Sequence, residues 1–135
     1  MPQLYTAGLL VIKDRKLLLA FSRNKKCFYL PGGKIDSNET AEDALCREIA
    51  EELNTHITKQ VLKYYTHITA PAFGEKKDII MEQDCFFLTT EINPEASGEI
   101  EQLKYFSLSE YLIEKQQAPG AVMILQLLKN DNYID

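Results

Sequence analysis

The sequence carries no surplus of positive charge. Fifteen lysines and arginines face twenty aspartates and glutamates, for a formal net charge of −5. A chain of that sign has no general grip on nucleic acid, whose phosphate backbone is held by excess lysine and arginine, so no nucleic-acid partner is expected. A polyanionic substrate would need a metal bridge. Cysteine is scarce: Cys27, Cys46 and Cys85 are the three present, widely spaced and without a CxxC pair. That excludes a disulfide framework and a zinc site as expectations and leaves reduced thiols. Long apolar runs are lacking as well. The run in "MPQLYTAGLLVIKDRK" breaks at Lys13 and has no basic leader, which falls short of a signal or membrane segment. A cytoplasmic protein without a membrane partner is expected. Repeats, linkers and low-complexity tracts are missing, as are the GxxxxGK[ST] phosphate loop and the HExxH zinc spacing. His56 and His67 stand alone, with no partner serine or cysteine for a triad.

The 135 residues, 45% of them hydrophobic, suffice for one sizeable core and a single domain over residues 1–135. Tyr5–Ile12 and Leu17–Phe21 are β-leaning runs around the charged turn "KDRK" and read as a hairpin. Cys27–Leu30 reads as a third strand leading into a tight Pro31-Gly32-Gly33 turn. Helical spacing then runs from Ala41 to Leu53, with Thr40 as N-cap, Asp43 completing a capping box and Asn54 as a left-handed C-cap. Val61–Thr69 and Ile79–Thr90 read as long strands joined by the loop "APAFGEKK". Leu103–Phe106 reads as a further strand, Ser109–Lys115 as a short helix and Gly120–Leu128 as a closing amphipathic helix.

The first long helix gathers carboxylates in an unusual place. At about 100° per residue, Ala41, Ala44, Leu45, Ile49 and Leu53 share one arc, the expected core stripe. Glu48 and Glu52 fall inside that arc, Glu52 near its middle beside Leu45 and Ile49. Glu51 lies near the edge and Arg47 on the far side. A solvated acidic face would put its acids opposite the stripe, and a buried unpaired carboxylate must be protonated, ion-paired or bound to metal. Acids at i, i+3 and i+4 are expected to converge within one turn, and hard oxygen ligands at that density suit Mg²⁺ or Mn²⁺. The glycines of "PGGK" let backbone approach the start of this helix and expose a carbonyl as a further oxygen ligand.

Gly33, Glu39 and "REIAEE" from Arg47 to Glu52, at these spacings, closely resemble the signature box of the Nudix hydrolases, Gx5Ex7REUxEExGU with U aliphatic. Asn54 and Thr55 depart from the last two positions. The first departure is mild, because asparagine tolerates the left-handed conformation that glycine usually takes there. The resemblance implies an α/β fold, an α/β/α sandwich around a mixed β-sheet. It implies hydrolysis of a nucleoside diphosphate linked to another group, with Mg²⁺ or Mn²⁺ as cofactor and a small-molecule nucleotide as substrate. Glu48, Glu51 and Glu52 would be metal ligands, joined by the Gly32 carbonyl. Gly33, Glu39 and Arg47 would support them.

Some members of the family recruit one more acid from a loop before a late strand, and Glu99 is the candidate here, with Glu101 second. Glu82 and Asp84 share one strand face and are weaker candidates. Arg23 and Lys34 would steady substrate phosphate. Phe28, Tyr29, Tyr65 and Phe73 are expected mostly in the core rather than against a base. The leading expectation is a nucleoside triphosphate, ordinary or modified, cleaved to monophosphate and pyrophosphate. A nucleotide sugar, a dinucleoside polyphosphate and a noncatalytic nucleotide sensor are the alternatives. A homodimer is compatible with the sequence.

Overall fold

Asp14 and Arg15 both take left-handed φ values, 51° and 61°, the conformation of a two-residue hairpin turn whose twist matches its flanking strands. They reverse the chain between β2 (Ile12–Lys13) and β3 (Lys16–Ser22). The computed structural model describes residues 3–76 and 78–135. In it the expected hairpin of Tyr5–Ile12 with Leu17–Phe21 is divided. The apolar run before "KDRK" belongs to two strands, β1 (Gln3–Leu10) and β2, and the chain passes from one sheet to another at Val11. The reason is that β1 finds its partners at long range.

The first sheet has the order β5–β1–β7–β6, where β5 is Gly32–Lys34, β6 Leu62–Pro71 and β7 Ile80–Leu88. β1 runs parallel to β7 and every other pair is antiparallel, so the sheet is mixed. In the second, β3 pairs with β2, with β4 (Cys27–Tyr29) and with β8 (Ile100–Phe106). β8 starts before the expected Leu103. The "PGG" stretch is likewise no tight turn, because Gly32 and Gly33 form the short edge strand β5.

Helix α1 spans Ala41–Leu53 and has the expected ends: Thr40 and Asp43 make a reciprocal capping box, and Asn54 is left-handed at φ 49°, ψ 41°. Its Leu45, Ile49 and Leu53 close a core with Ala7, Leu9, Leu18 and Phe86. On the other side, α2 (Leu108–Tyr111) and α3 (Pro119–Asn130) cover a core that includes Leu19, Phe28, Ile68, Phe106, Ile124 and Leu125. The result is the α/β/α sandwich. α2 is one turn rather than the expected Ser109–Lys115, since Tyr111 is drawn fully inside. There its hydroxyl donates to the Phe28 carbonyl at 2.6 Å and accepts the Ala118 N–H at 2.9 Å. The three cysteines are free thiols. Among the described residues no helix is long and apolar enough to cross a membrane.

Candidate functional site

Gly32 and Gly33 bring strand β5 against both β1 and α1. A Cβ on Gly32 would collide with the Ala7 carbonyl, and one on Gly33 would lie 2.9 Å from Glu48 Cγ. Backbone and a φ of 141° leave no room for a side chain at Gly32, whereas one at Gly33 would displace Glu48. The ladder bonds Leu9 N–H to Pro31 O and Ile35 N–H to Tyr5 O, both 2.9 Å, flank this pairing. Gly32 opposite Gly8 is therefore a non-hydrogen-bonded position, whose amide and carbonyl face away from β1. The Gly32 N–H donates to Glu52 Oε1 at 2.9 Å.

Arg47 ties the box together. Its Nε and Nη2 donate to the two carboxylate oxygens of Glu39 at 3.0 and 2.8 Å, Nη1 to Glu48 at 3.2 Å and Nη2 also to the Lys34 carbonyl at 3.0 Å. This fork is the geometry arginine supplies and lysine does not. It holds the Glu39 carboxyl below the usual carboxylate range and pushes the Arg47 guanidinium up. Arg47 starts on the far side of the helix, where the wheel places it, but its side chain does not stay there. It folds back along α1 to reach Glu39, eight residues earlier.

Glu48 and Glu52 are partly buried and face one cavity, as expected, while Glu51 is exposed. Burial, with Glu48 and Glu99 close by, pushes the Glu52 carboxyl up to about 8 against the counteracting Gly32 hydrogen bond. Burial and then Glu51 raise Glu48, against the pull of Arg47.

Glu99 lines the same cavity, close enough to Glu52 to help raise its carboxyl. The hydroxyl of fully buried Ser22 donates to Glu99 Oε2, and Tyr29 Oη donates to the same oxygen at 3.4 Å. Ser22 sits at the bulge where the β3–β8 register shifts, and the Arg23 N–H holds the Glu99 carbonyl at 3.0 Å. Glu99 lies in the turn directly before β8, as expected, and these bonds fix it there.

The cavity measures about 430 Å³. Of the expected residues, Gly32, Gly33, Lys34, Glu48, Glu52 and Glu99 line it, while Glu39 and Arg47 stand behind them. Arg23 is not among the lining residues. Its side chain, in the turn just past β3, reaches instead to the Gly98 carbonyl at 3.2 Å and Glu101 at 3.6 Å. Glu82 and Asp84 also face away. They bracket His67 at 2.7 and 2.8 Å and hold its imidazole above its ordinary pKa.

Phe28 is core and Tyr65 packs on Phe87 and Tyr133, as expected, but Tyr29 and Phe73 line the cavity. Lys25, Glu75, Gln83 and the first turn of α3 line it too, and sequence reading missed them. One signal existed for Gln83: it is a polar residue on the apolar face of β7, 7% exposed, between the acids of the opposite face.

Among the described residues no three histidine, cysteine, aspartate or glutamate groups stand together as a metal-holding set. The expected convergence of Glu48, Glu51 and Glu52 is absent because each is engaged differently: Glu48 with Arg47, Glu52 with the Gly32 amide, Glu51 with solvent. The donors nonetheless fit a hard divalent cation in kind. They are carboxylate oxygens on one helix turn beside an outward-facing carbonyl, and the raised pKa of Glu52 is the cost a dication would relieve.

The NUDIX domain model matches residues 2–127, and the chain belongs to the Nudix family. An ADP-ribose pyrophosphatase of Methanocaldococcus jannaschii is 48% identical over 46 residues, 32% of this chain. That match spans only 27% of the relative's own length. The MutT NUDIX hydrolase of Burkholderia pseudomallei shares the fold with a TM-score of 0.75 at 20% identity, covering 93% of this chain and 98% of that one. A bifunctional NMN adenylyltransferase/ADP ribose pyrophosphatase from Francisella tularensis, complexed with AMP and a Mn ion, gives a TM-score of 0.69 at 22% identity, over 96% of this chain and 42% of that one.

Proposed function

We propose that the chain is a pyrophosphohydrolase that cleaves a nucleoside diphosphate joined to another group, with a nucleoside triphosphate as the leading substrate class. The observation that carries this reading is the single cavity that Glu48, Glu52 and Glu99 line together. Its volume of about 430 Å³ suits a nucleotide, since ligand clefts run from about 300 to 1,000 Å³. Phe73, Met81 and Tyr29 offer apolar contact for a base, and the Gln83 amide offers a polar edge.

Mg²⁺ or Mn²⁺ held by Glu48, Glu51, Glu52 and the Gly32 carbonyl would supply charge neutralisation and Lewis acidity at the diphosphate. The chain's own groups do the rest. Arg47, forked on Glu39, steadies Glu48. Lys34 meets a substrate phosphate. Glu99, tied through one oxygen, offers the other to the proton of the attacking water. As the water oxygen bonds phosphorus, the bridging P–O bond breaks and pyrophosphate leaves with the electron pair, beside a nucleoside monophosphate.

The name of the Methanocaldococcus relative favours a second reading, a nucleoside diphosphate sugar such as ADP-ribose. A nucleotide panel with Mg²⁺ and with Mn²⁺, resolving pyrophosphate from other products, tests both. Pyrophosphate release supports the first, AMP with a sugar phosphate the second, and the absence of turnover on the whole panel overturns the hydrolase reading in favour of a nucleotide sensor.

A further inference from the structure

We propose that Lys25 is a ligand for a substrate phosphate and that Glu75 is the intramolecular anion that holds its place until the substrate arrives. This rests on the reading of the cavity as a nucleotide site. Among the described lining residues, Lys25 and Lys34 are the cations, set against five carboxylates. A diphosphate entering so acidic a space must find these two groups. Both are already engaged by one side chain: Glu75 Oε2 lies 3.3 Å from Lys25 Nζ, and Glu75 Oε1 lies 4.0 Å from Lys34 Nζ.

Lys25 is not a lysine waving in solvent. Its side chain is 28% exposed. Its stem runs along Gly74, where a Cβ would come within 3.0 Å of Lys25 Cγ and Cδ, and its ammonium stands 5.3 Å from the centre of the Tyr29 ring. Tyr29 in turn reaches Glu99. The ammonium therefore stands at the cavity that Glu48, Glu52 and Glu99 line. Glu75, at 23% exposure, presents two oxygens to two lysines much as the oxygens of a phosphate would.

A bound phosphate cannot share Lys25 with Glu75 at close range, because two anions at one site repel. A partly exposed ion pair is weak enough to be displaced. Only the carboxylate has to turn away, since the base of its loop is closed by Ala72 N–H to Ile79 O at 3.0 Å. Binding is thus an exchange of one anion for another at Lys25, and Glu75 lowers the affinity for any ligand that lacks enough negative charge to displace it.

The test is calorimetric titration of inorganic pyrophosphate at low salt in excess chelator, so that neither turnover nor metal enters. Wild type, Glu75→Gln, Lys25→Met and the double variant are compared. Glu75→Gln is expected to tighten binding about threefold to fivefold, the scale of one partly exposed ion pair, Lys25→Met to weaken it, and the gain from Glu75→Gln to shrink to the smaller part owed to Lys34 in the Lys25→Met background. Lys25→Gln replaces Lys25→Met if the latter fails to fold by circular dichroism. Equal or weaker binding by Glu75→Gln, no measurable binding by either form, or an undiminished gain without Lys25 overturns the exchange. The nucleotide panel is read separately, so a protein without turnover overturns the hydrolase reading and leaves the exchange measurable.

Discussion

On the β5–α1 wall of the cavity, each functional side chain is held from within one continuous stretch of chain that runs from β5 through α1: Glu52 by Gly32, Glu48 by Arg47, Arg47 by Glu39. The rest of the lining, an assembled wall, draws Lys25, Phe73, Gln83, Glu99 and Ala121 from five separate parts of the chain. The first wall is set by one strand, one capped helix and one arginine fork. The second exists only when β3, β7, β8 and α3 have all docked. On the proposed function, the acids that would hold the metal belong to the local wall, while Glu99 and the groups that would meet the nucleotide belong to the assembled one.

The comparison is tested most severely at Glu52. Glu52→Gln is expected to lower turnover by at least about a hundredfold, the scale of losing a positioned carboxylate, while leaving the metal-free fold intact. The sign of its stability effect follows from the raised carboxyl, about 8 in the folded protein against an ordinary 4.5. The folded state holds this proton more tightly than the unfolded one. Below pH 4.5 the group costs nothing, and the metal-free protein loses stability as pH rises toward 8. In chelator the variant should therefore nearly match wild type at pH 4.5 and exceed it by up to about 4 kcal/mol at pH 8. A lower melting temperature for the variant at pH 8 would mean that Glu52 anchors a structural contact.

Arg47→Lys sharpens the local wall. It keeps the charge and loses the fork onto Glu39. The half-saturating Mg²⁺ concentration should rise about tenfold to a hundredfold, as when groups that orient metal ligands are removed. Ser22→Ala probes the other wall, where it removes a donor from Glu99. A fall in kcat of about tenfold is expected, with a stability cost of about 1 kcal/mol, read by steady-state kinetics and denaturant unfolding. The Mg²⁺ requirement should not move. If Ser22→Ala shifts it as far as Arg47→Lys does, the walls act as one unit and the division fails.

The same division accounts for what the sequence revealed. α1 was legible to the residue, cap to cap, because its stripe, Thr40, Asp43 and Asn54 are local signals. The partial burial of Glu48 and Glu52 followed from helical geometry alone. The reach of Arg47 did not, because a wheel fixes where a Cα sits and not how far a long side chain folds back. The split of the first apolar run between β1 and β2 was hidden because it depends on β7, seventy residues on. Gln83 was passed over for Glu82 and Asp84, although a strand's two faces differ by one residue. Which face meets the cavity is a matter of docking. Lys25 and Glu75 carried no local signal, since their pairing exists only after the loop beyond β6 has closed over β4.

The smallest expected effect lies at the end of the local wall. Asn54 stands in the left-handed conformation where the family box has glycine, and from the backbone alone Asn54→Gly should stabilise by about 0.5 to 1 kcal/mol. The structure adds a term on the other side: Asn54 Nδ2 donates to Glu95 Oε1 at 3.2 Å, tying the helix end to the segment whose Glu95 N–H also bonds the Leu53 carbonyl at 2.9 Å. An exposed hydrogen bond is worth about 0.5 to 1 kcal/mol, so the two terms nearly cancel and the net change should stay within about 0.5 kcal/mol. Urea unfolding of Asn54→Gly in wild-type and Glu95→Ala backgrounds separates them. In the Glu95→Ala protein the lost bond no longer counts, and Asn54→Gly should show its full backbone gain. If it destabilises there as well, strain at Asn54 is not what distinguishes this position from the glycine of the box, and the asparagine supports the helix end through its own side chain.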